Sequence, residues 1–409
     1  MEDKSNEEIK NKINKIWEED LKIKINEKIN STIDNLCEEF SKKLEKNEKA
    51  LSEIIEKSLD ALDKEKLKSK LNKCPNILTY ENDSNNLIHK ILICLSNIES
   101  LVIFCLNEND NLKKVKNQNG LFTFLIDLIK NLWTVHLTGY SALTIISNLE
   151  NANIYNSNNP GNNISFILTT LSIELNLINP KNNNGKENLN VYDQDEALEI
   201  FKQNMENNYN KISKEFFLTY KIKKICKKCN ISIKYFYEQR PLADLFIQKE
   251  DQEIKHLNVI SHKLSLNENF FFLLNNDIFS EENCEICGSK TKFEVWNSIE
   301  ILNNNILIIN LNKEDENREI SYEDKLKLEI NSNKIEFELI SVLINNKEYF
   351  SYIDDHQKTQ RIKKNNYKLY CKNFIDNKWY NFNNKILKVE NEKEIYDEKN
   401  ALLLIYQKI

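Results

Sequence analysis

Over residues 9–62 apolar side chains return at helical spacing: Ile9, Ile13 and Ile16, then Ile29, Ile33, Leu36, Phe40 and Leu44, then Leu51, Ile54, Leu59 and Leu62. Steps of three and four place such residues on one helix face, and Lys and Glu crowd the positions between, so two or three amphipathic helices are predicted. No proline interrupts before Pro75. A coiled coil, a helical hairpin docked on a partner and an extension packed on its own domain all satisfy the pattern.

The texture changes after Cys74-Pro75. Leu87–Leu106 and Leu121–Trp133 are apolar runs separated by a polar stretch over 107–120, and they read as buried helices. The change marks a boundary between a helical extension, 1–73, and a domain, 74–409. Two Asn-rich segments, 151–163 and 179–190, each hold a Pro and a Gly and are expected to be loops. A short helix, Ile164–Asn176, is expected between them.

From Tyr220 onward β-branched and aromatic runs dominate. Strands are predicted at Ile306–Leu311, Ile335–Ile344, Tyr367–Cys371, Lys378–Phe382 and Ala401–Tyr406. The three aromatics Phe270, Phe271 and Phe272 fit a strand better than an exposed partner patch. A helical front half followed by a strand-rich back half implies an α+β fold rather than alternating βαβ units.

Composition narrows the function classes. A chain of 409 residues, 40% hydrophobic, can bury a core. Lys+Arg 57 against Asp+Glu 63 gives a net charge of -6, so no field gathers nucleic acid or an anionic membrane nonspecifically. Direct nucleic-acid binding is therefore not expected, and an RNA-rich partner would be reached through protein. No run of about 18 apolar residues and no basic segment leading into an apolar one is found, so neither membrane insertion nor secretion is expected. In a reducing compartment the nine cysteines should be thiols or metal ligands.

Four of the nine fall in two pairs, Cys226-Lys-Lys-Cys229 and Cys284-Glu-Ile-Cys287. Two thiols three apart at a turn both reach one ion, and two such knuckles complete the tetrahedron that structural Zn2+ takes. Four thiolates leave no open coordination position, so the metal would be structural. Fifty-four residues (284 - 229 - 1) separate the pairs, so a long excursion must leave and return.

Helices upstream, strands downstream and a split four-cysteine site resemble the ubiquitin-specific protease family. Asp83 to Ile98 matches the length and apolar pattern of its cysteine box, G-N-T-C-Y-M-N-S-x-L-Q-x-L, with Asn86 at the nucleophile position. Glu81 stands where the family places its oxyanion-stabilising asparagine. Asn365-Asn366-Tyr367-Lys368-Leu369-Tyr370 matches the G-H-Y-x-x-Y box, with Asn366 in place of the general-base histidine. Trp379 to Asn384 resembles W-x-x-F-[DN]-D, with Asn383 at the third triad position. Gly161 to Ile167 resembles the Q-D-A-H-E-F-L helix start, Asn305 to Asn312 the strand before L-K-R-F, and Ala401 to Tyr406 the closing A-Y-L-L-F-Y.

The resemblance implies a papain-like fold with a helical thumb at 74–205, zinc fingers at 206–298 and a β-rich palm at 299–409. It also implies a dead site. An amide at 86 cannot ionise to attack a carbonyl, one at 366 cannot carry a proton near neutral pH, and a carboxylate at 81 repels an oxyanion. Asn162 and Asn365 replace an acidic residue and a glycine that grip the ubiquitin tail, so ubiquitin binding is in doubt as well.

Among inactive family members, the one attached to the spliceosomal tri-snRNP is similar at Leu95-Ser96-Asn97-Ile98, at the acidic turn over 106–110 and at a nonhistidine G-S-Y box. That likeness implies a nuclear splicing scaffold with tri-snRNP proteins as partners. A ubiquitin-binding pseudo-deubiquitinase and an active enzyme with atypical residues are the alternatives. Cys94 and Cys105, on apolar helical stretches, read as core rather than as rescued nucleophiles, and His356 as a loop residue.

Overall fold

The computed structural model describes residues 65–71, 87–107, 120–134, 159–178, 194–208, 210–230, 233–247, 263–274, 278–302, 304–313, 319–346, 348–353, 359–383, 386–396 and 400–409. The chain divides into two compact units, Met1–Lys70 and Leu71–Ile409. The helices expected over 9–62 lie outside the described residues, as do Glu81, Asn86 and His356.

The second unit opens with helices. Leu87–Leu106 was expected as one run, and it forms two: α1 (Leu87–Leu95) and α2 (Glu99–Asn107), bent by 77°. The break is written in its polar residues. Ser96 Oγ donates to the carbonyl of Leu92 at 2.7 Å, and Asn97 Nδ2 donates to that of Ile93 at 2.9 Å, so side chains satisfy the carbonyls that end α1. Trp133 Nε1 then donates to the Ser96 carbonyl at 2.7 Å. No single helix among the described residues is long and apolar enough to cross a membrane.

α3 (Leu121–Trp133) spans the expected apolar run. α4 (Pro160–Ile178) starts earlier than the expected Ile164, because Pro160 opens the helix instead of ending a loop; a missing N–H costs nothing in the first turn. α5 (Gln194–Asn208) and α6 (Lys211–Phe216) follow, the latter opened by a capping box between Asn210 and Ser213.

A four-stranded antiparallel sheet is ordered β2 (Ile233–Arg240), β1 (Leu218–Cys226), β6 (Lys290–Ile301), β5 (Ile278–Asn283). The larger sheet runs β15 (Ile386–Lys388), β14 (Trp379–Phe382), β13 (Tyr367–Lys372), β10 (Asn333–Asn345), β16 (Ala401–Lys408), β7 (Ile306–Lys313), β3 (Ala243–Ile247), with β9 (Lys325–Ile330) also on β10. Its pairings are antiparallel except β3 with β7. Two small sheets pair β11 (Glu348–Ile353) with β12 (Thr359–Lys364), and β4 (Lys263–Ser265) with β8 (Glu319–Ser321). The last helix, α8 (Lys393–Tyr396), precedes β16.

Two expectations need correction. Phe270–Phe272 lie in a helix, α7 (Leu266–Leu274): Leu266 and Phe270, one turn apart, are buried while Phe271 is exposed. None of those aromatics is β-branched, and the four-residue step from Leu266 is helical. The fingers segment is also not continuous over 206–298. β3, inside it, joins the large sheet, and its alternate buried positions, Ala243, Leu245 and Ile247, need an apolar partner there.

The large sheet is covered on both faces. Ile306, Ile308, Leu369 and Ile405 join the helices α1–α4 and α6 in one cluster, while Leu307, Ile309, Tyr370 and Leu404 join α7, β9 and the base of the smaller sheet in another. Central strands buried on both sides read as continuous apolar runs, which is how β7 and β16 appear in the sequence.

Candidate functional site

The two cysteine pairs meet at the tip of the smaller sheet. Cys226 ends β1 and Cys284 follows β5, and each pair is closed by a residue in the left-handed region, Asn230 (φ 54°) and Gly288 (φ 63°). Asn230 N bonds to the Cys226 carbonyl at 3.0 Å, and Gly288 N to that of Cys284 at 2.8 Å. Both turns leave Cβ-free or Asn-tolerated space where the backbone reverses.

Sγ of Cys226 lies 4.0 Å from that of Cys287, and Sγ of Cys229 lies 3.8 Å from that of Cys284. All four sulfurs fall within 4.8 Å of one another. A tetrahedron with Zn–S bonds of about 2.3 Å has edges of about 3.8 Å, so the spacing suits one Zn2+. Cys226 and Cys284 are buried beside Phe293, and Cys229 and Cys287 are half-buried. Zinc here crosslinks two hairpin ends and offers no open coordination position for chemistry.

Of the other predicted positions, Asn366 and Asn383 are described, and they meet at one end of the large sheet. Asn366 immediately precedes β13 and Asn383 immediately follows β14, and these strands pair antiparallel through Tyr370 and Asn381, so both positions come to the same end. Asn345, the last residue of β10, fixes the first of them. Its Nδ2 donates to Asn365 Oδ1 at 3.0 Å, its Oδ1 accepts from the Asn366 N–H at 3.2 Å, and Asn346 N–H donates to the Asn366 carbonyl at 2.8 Å.

Asn383 is met from the helical side by a residue that sequence reasoning missed. Lys90, in the middle of α1, is 1% exposed, and its Nζ donates to the Phe382 carbonyl at 2.5 Å and to Asn383 Oδ1 at 3.5 Å. Burial lowers its pKa to about 8, partly offset by Cys371 on β13. Its neighbour His89 is lowered to about 4, first by burial and then by the charge of Lys90. The signal was present: a cation stands in the otherwise apolar Leu87-Ile88-His89-Lys90-Ile91-Leu92-Ile93-Cys94-Leu95, every residue of which is buried.

Among the described residues, neither Cys105 nor Cys371 is a primed thiol. Burial pushes Cys105 up, and it pushes Cys371 well up, reinforced by a hydrogen bond with Cys94; Cys94 itself is buried. Lys90 offsets only part of the effect of burial on Cys371, and a thiol held protonated by burial is a poor nucleophile.

The start of α4 is held against the sheet. Gly161 N–H donates to Asn159 Oδ1 at 2.8 Å, Asn159 Nδ2 to Asn312 Oδ1 at 2.9 Å, and the amides of Asn310 and Asn312 both reach Asp244 Oδ1, at 2.6 and 3.0 Å. A Cβ on Gly161 would sit 2.3 Å from the Asn310 amide, so only glycine fits. Asn162, on the same turn, is exposed.

Helical thumb, zinc-knuckled fingers and a covered palm sheet together make the papain-like fold of ubiquitin-specific protease domains. Solved structures share it: a chain of the SAGA Ubp8/Sgf11/Sus1/Sgf73 DUB module bound to ubiquitin aldehyde superposes with a TM-score of 0.53 at 16% identity, covering 82% of this chain and 69% of that one. A chain of the yeast SAGA DUB module carrying an Sgf73 mutant gives 0.53 at 15% identity, over 82% and 68%. The Saccharomyces cerevisiae PAN2 pseudoubiquitin-hydrolase gives 0.49 at 14% identity, over 82% and 87%. No family model and no curated protein matches the sequence.

Proposed function

We propose that this protein is a catalytically dead ubiquitin-specific-protease-like scaffold. The observation that carries the reading is the state of the site's two described positions. An asparagine with its backbone clamped by Asn345 stands where a proton-carrying histidine is required, and the residue that would orient that histidine is engaged by Lys90. Asparagine does not titrate near neutral pH, and among the described residues the Cys105 and Cys371 thiols are held protonated by burial. The surviving fold then serves as a binding surface within a multi-protein complex, as the SAGA DUB module is an assembly of several chains.

The partner we propose is the spliceosomal tri-snRNP, in the nucleus. Its support is the sequence likeness at Leu95-Ser96-Asn97-Ile98, whose Ser96 and Asn97 form the α1 cap described above, and the nonhistidine box at Asn366. An electrophilic ubiquitin probe is expected to leave the purified chain unlabelled, with no cleavage of a fluorogenic ubiquitin substrate; labelling at any residue overturns the dead-site reading. Affinity purification from native extract is expected to bring down tri-snRNP proteins, and a reproducible interactome free of splicing factors rejects that partner.

A further inference from the structure

We propose that Lys90 is an internal occupant of the vestigial triad: its ammonium takes the Asn383 acceptor that an imidazole at position 366 would need, and ties thumb helix α1 to the end of palm strand β14. The proposal rests on reading Asn366 and Asn383 as the degenerate triad positions.

The geometry is specific. α1 packs on β13 and on α4, and Lys90 is the one position of the helix whose side chain carries a full charge. The ammonium reaches the palm at two neighbouring acceptors, the carbonyl of Phe382 and the amide oxygen of Asn383, which belong to residues 292 and 293 positions away in the chain. Fully burying a lysine on neutral acceptors is unfavourable unless a tight set of hydrogen bonds compensates, so such a residue is expected only where its placement matters. The titratable groups that interact with it are His89 on its own helix and Cys371 from β13, the latter hydrogen-bonded to Cys94. On α4, Glu174 is already engaged by α3.

The contact has a consequence for reversal of inactivity. A triad asparagine holds an imidazole by accepting its N–H; with its oxygen facing an ammonium, that acceptor is shared, and a new imidazole beside it meets a like charge. Replacing Asn86 and Asn366 by the family's residues would therefore not rebuild a working couple while Lys90 stays in place.

Lysine side-chain 15N–1H spectra of the full chain test the contact. One ammonium signal of slowed exchange is expected, absent in Lys90→Met and displaced in Asn383→Ala, which removes an acceptor but keeps the lysine. A Lys90 signal at the same position in Asn383→Ala overturns the proposal. The imidazole introduced by Asn366→His supplies a second reading: its proton affinity is expected to be about tenfold lower with Lys90 than in the Asn366→His/Lys90→Met chain, and equal values overturn the proposal. If Lys90→Met does not fold, Lys90→Gln serves as its substitute, and the Asn383→Ala spectrum stands without either. Labelling of the unaltered chain by a ubiquitin probe would defeat the dead-scaffold reading and leave this contact standing, whereas an undisplaced signal would defeat the contact and leave inactivity standing.

Discussion

At the scale of single residues, the buried cation of α1 sets the clearest energetic expectation. Lys90 has a lower proton affinity folded, near pH 8, than the ordinary lysine value of 10.5 that the unfolded chain keeps. Between those values the unfolded chain binds more protons, so stability rises with pH across that window and the ammonium is a burden below it. Lys90→Met is expected to raise the melting temperature at pH 7, by roughly 1–3 kcal/mol of stability, with the advantage shrinking between pH 8 and 10.5. Calorimetry at three pH values checks this; a variant less stable than the parent at every pH contradicts it. His89 acts in the acid range by the same arithmetic: with its folded pKa near 4 against 6.5, it stays neutral while the unfolded chain protonates, and stability falls as pH drops from 6.5 to 4. His89→Leu should flatten that part of the acid limb, as read by denaturant midpoints across the range.

At the scale of elements, one carboxylate starts a helix from a distance. Glu174 of α4 accepts the N–H groups of Leu121 at 2.9 Å and Phe122 at 2.7 Å, satisfying orphan donors of α3 and countering the positive end of its dipole. Glu174→Ala is expected to cost about 1–2 kcal/mol and to speed amide exchange in the first turn of α3. Sequence could not disclose that cap, because it lies 53 residues away along the chain. Elements built on local signals were legible: α3, the runs of β7, β10, β13 and β16, and both cysteine knuckles. Where tertiary contact decides, the reading failed. The aromatics of α7 were read as a strand because three in a row carry no period, and β3 was placed with the fingers because its parallel partner β7 comes 59 residues later (306 - 247). Of the proposed dead site, Asn366 and Asn383 were visible as box positions, whereas Lys90 was hidden in an apolar run.

At the scale of the whole molecule, the two sheets depend on different glue. The palm is closed by apolar burial on both faces, while the finger tip holds a small cluster of Phe293 and the four cysteines, with Lys224–Glu282 and Lys227–Glu294 pairs around it. Ion pairs at such exposure add little, so zinc carries the tip. Chelation of the metal, or Cys229→Ser, is expected to unprotect the amides of β1, β5 and β6 near the knuckles in hydrogen exchange and to leave β10 and β16 protected. Equal loss in both sheets would contradict this division. Exposed Trp296, on β6, offers a fluorescence reporter for the same measurement.

The path of the chain through the two sheets has a kinetic meaning. It builds half of the fingers in β1 and β2, crosses into the palm at β3, returns for β5 and β6, and re-enters the palm at β7 beside β3. The first half of the zinc site thus precedes the second by a long excursion, and joining them closes a long loop whose entropy penalty precedes any reward. Docking of β7 on β3 shortens that search by anchoring both ends of the excursion, so the metal is captured late, as a seal on a frame already formed. Refolding of the Cys226→Ser chain should therefore keep the rate at which the palm's buried Trp379 is sequestered and lose only a slower phase seen at Trp296.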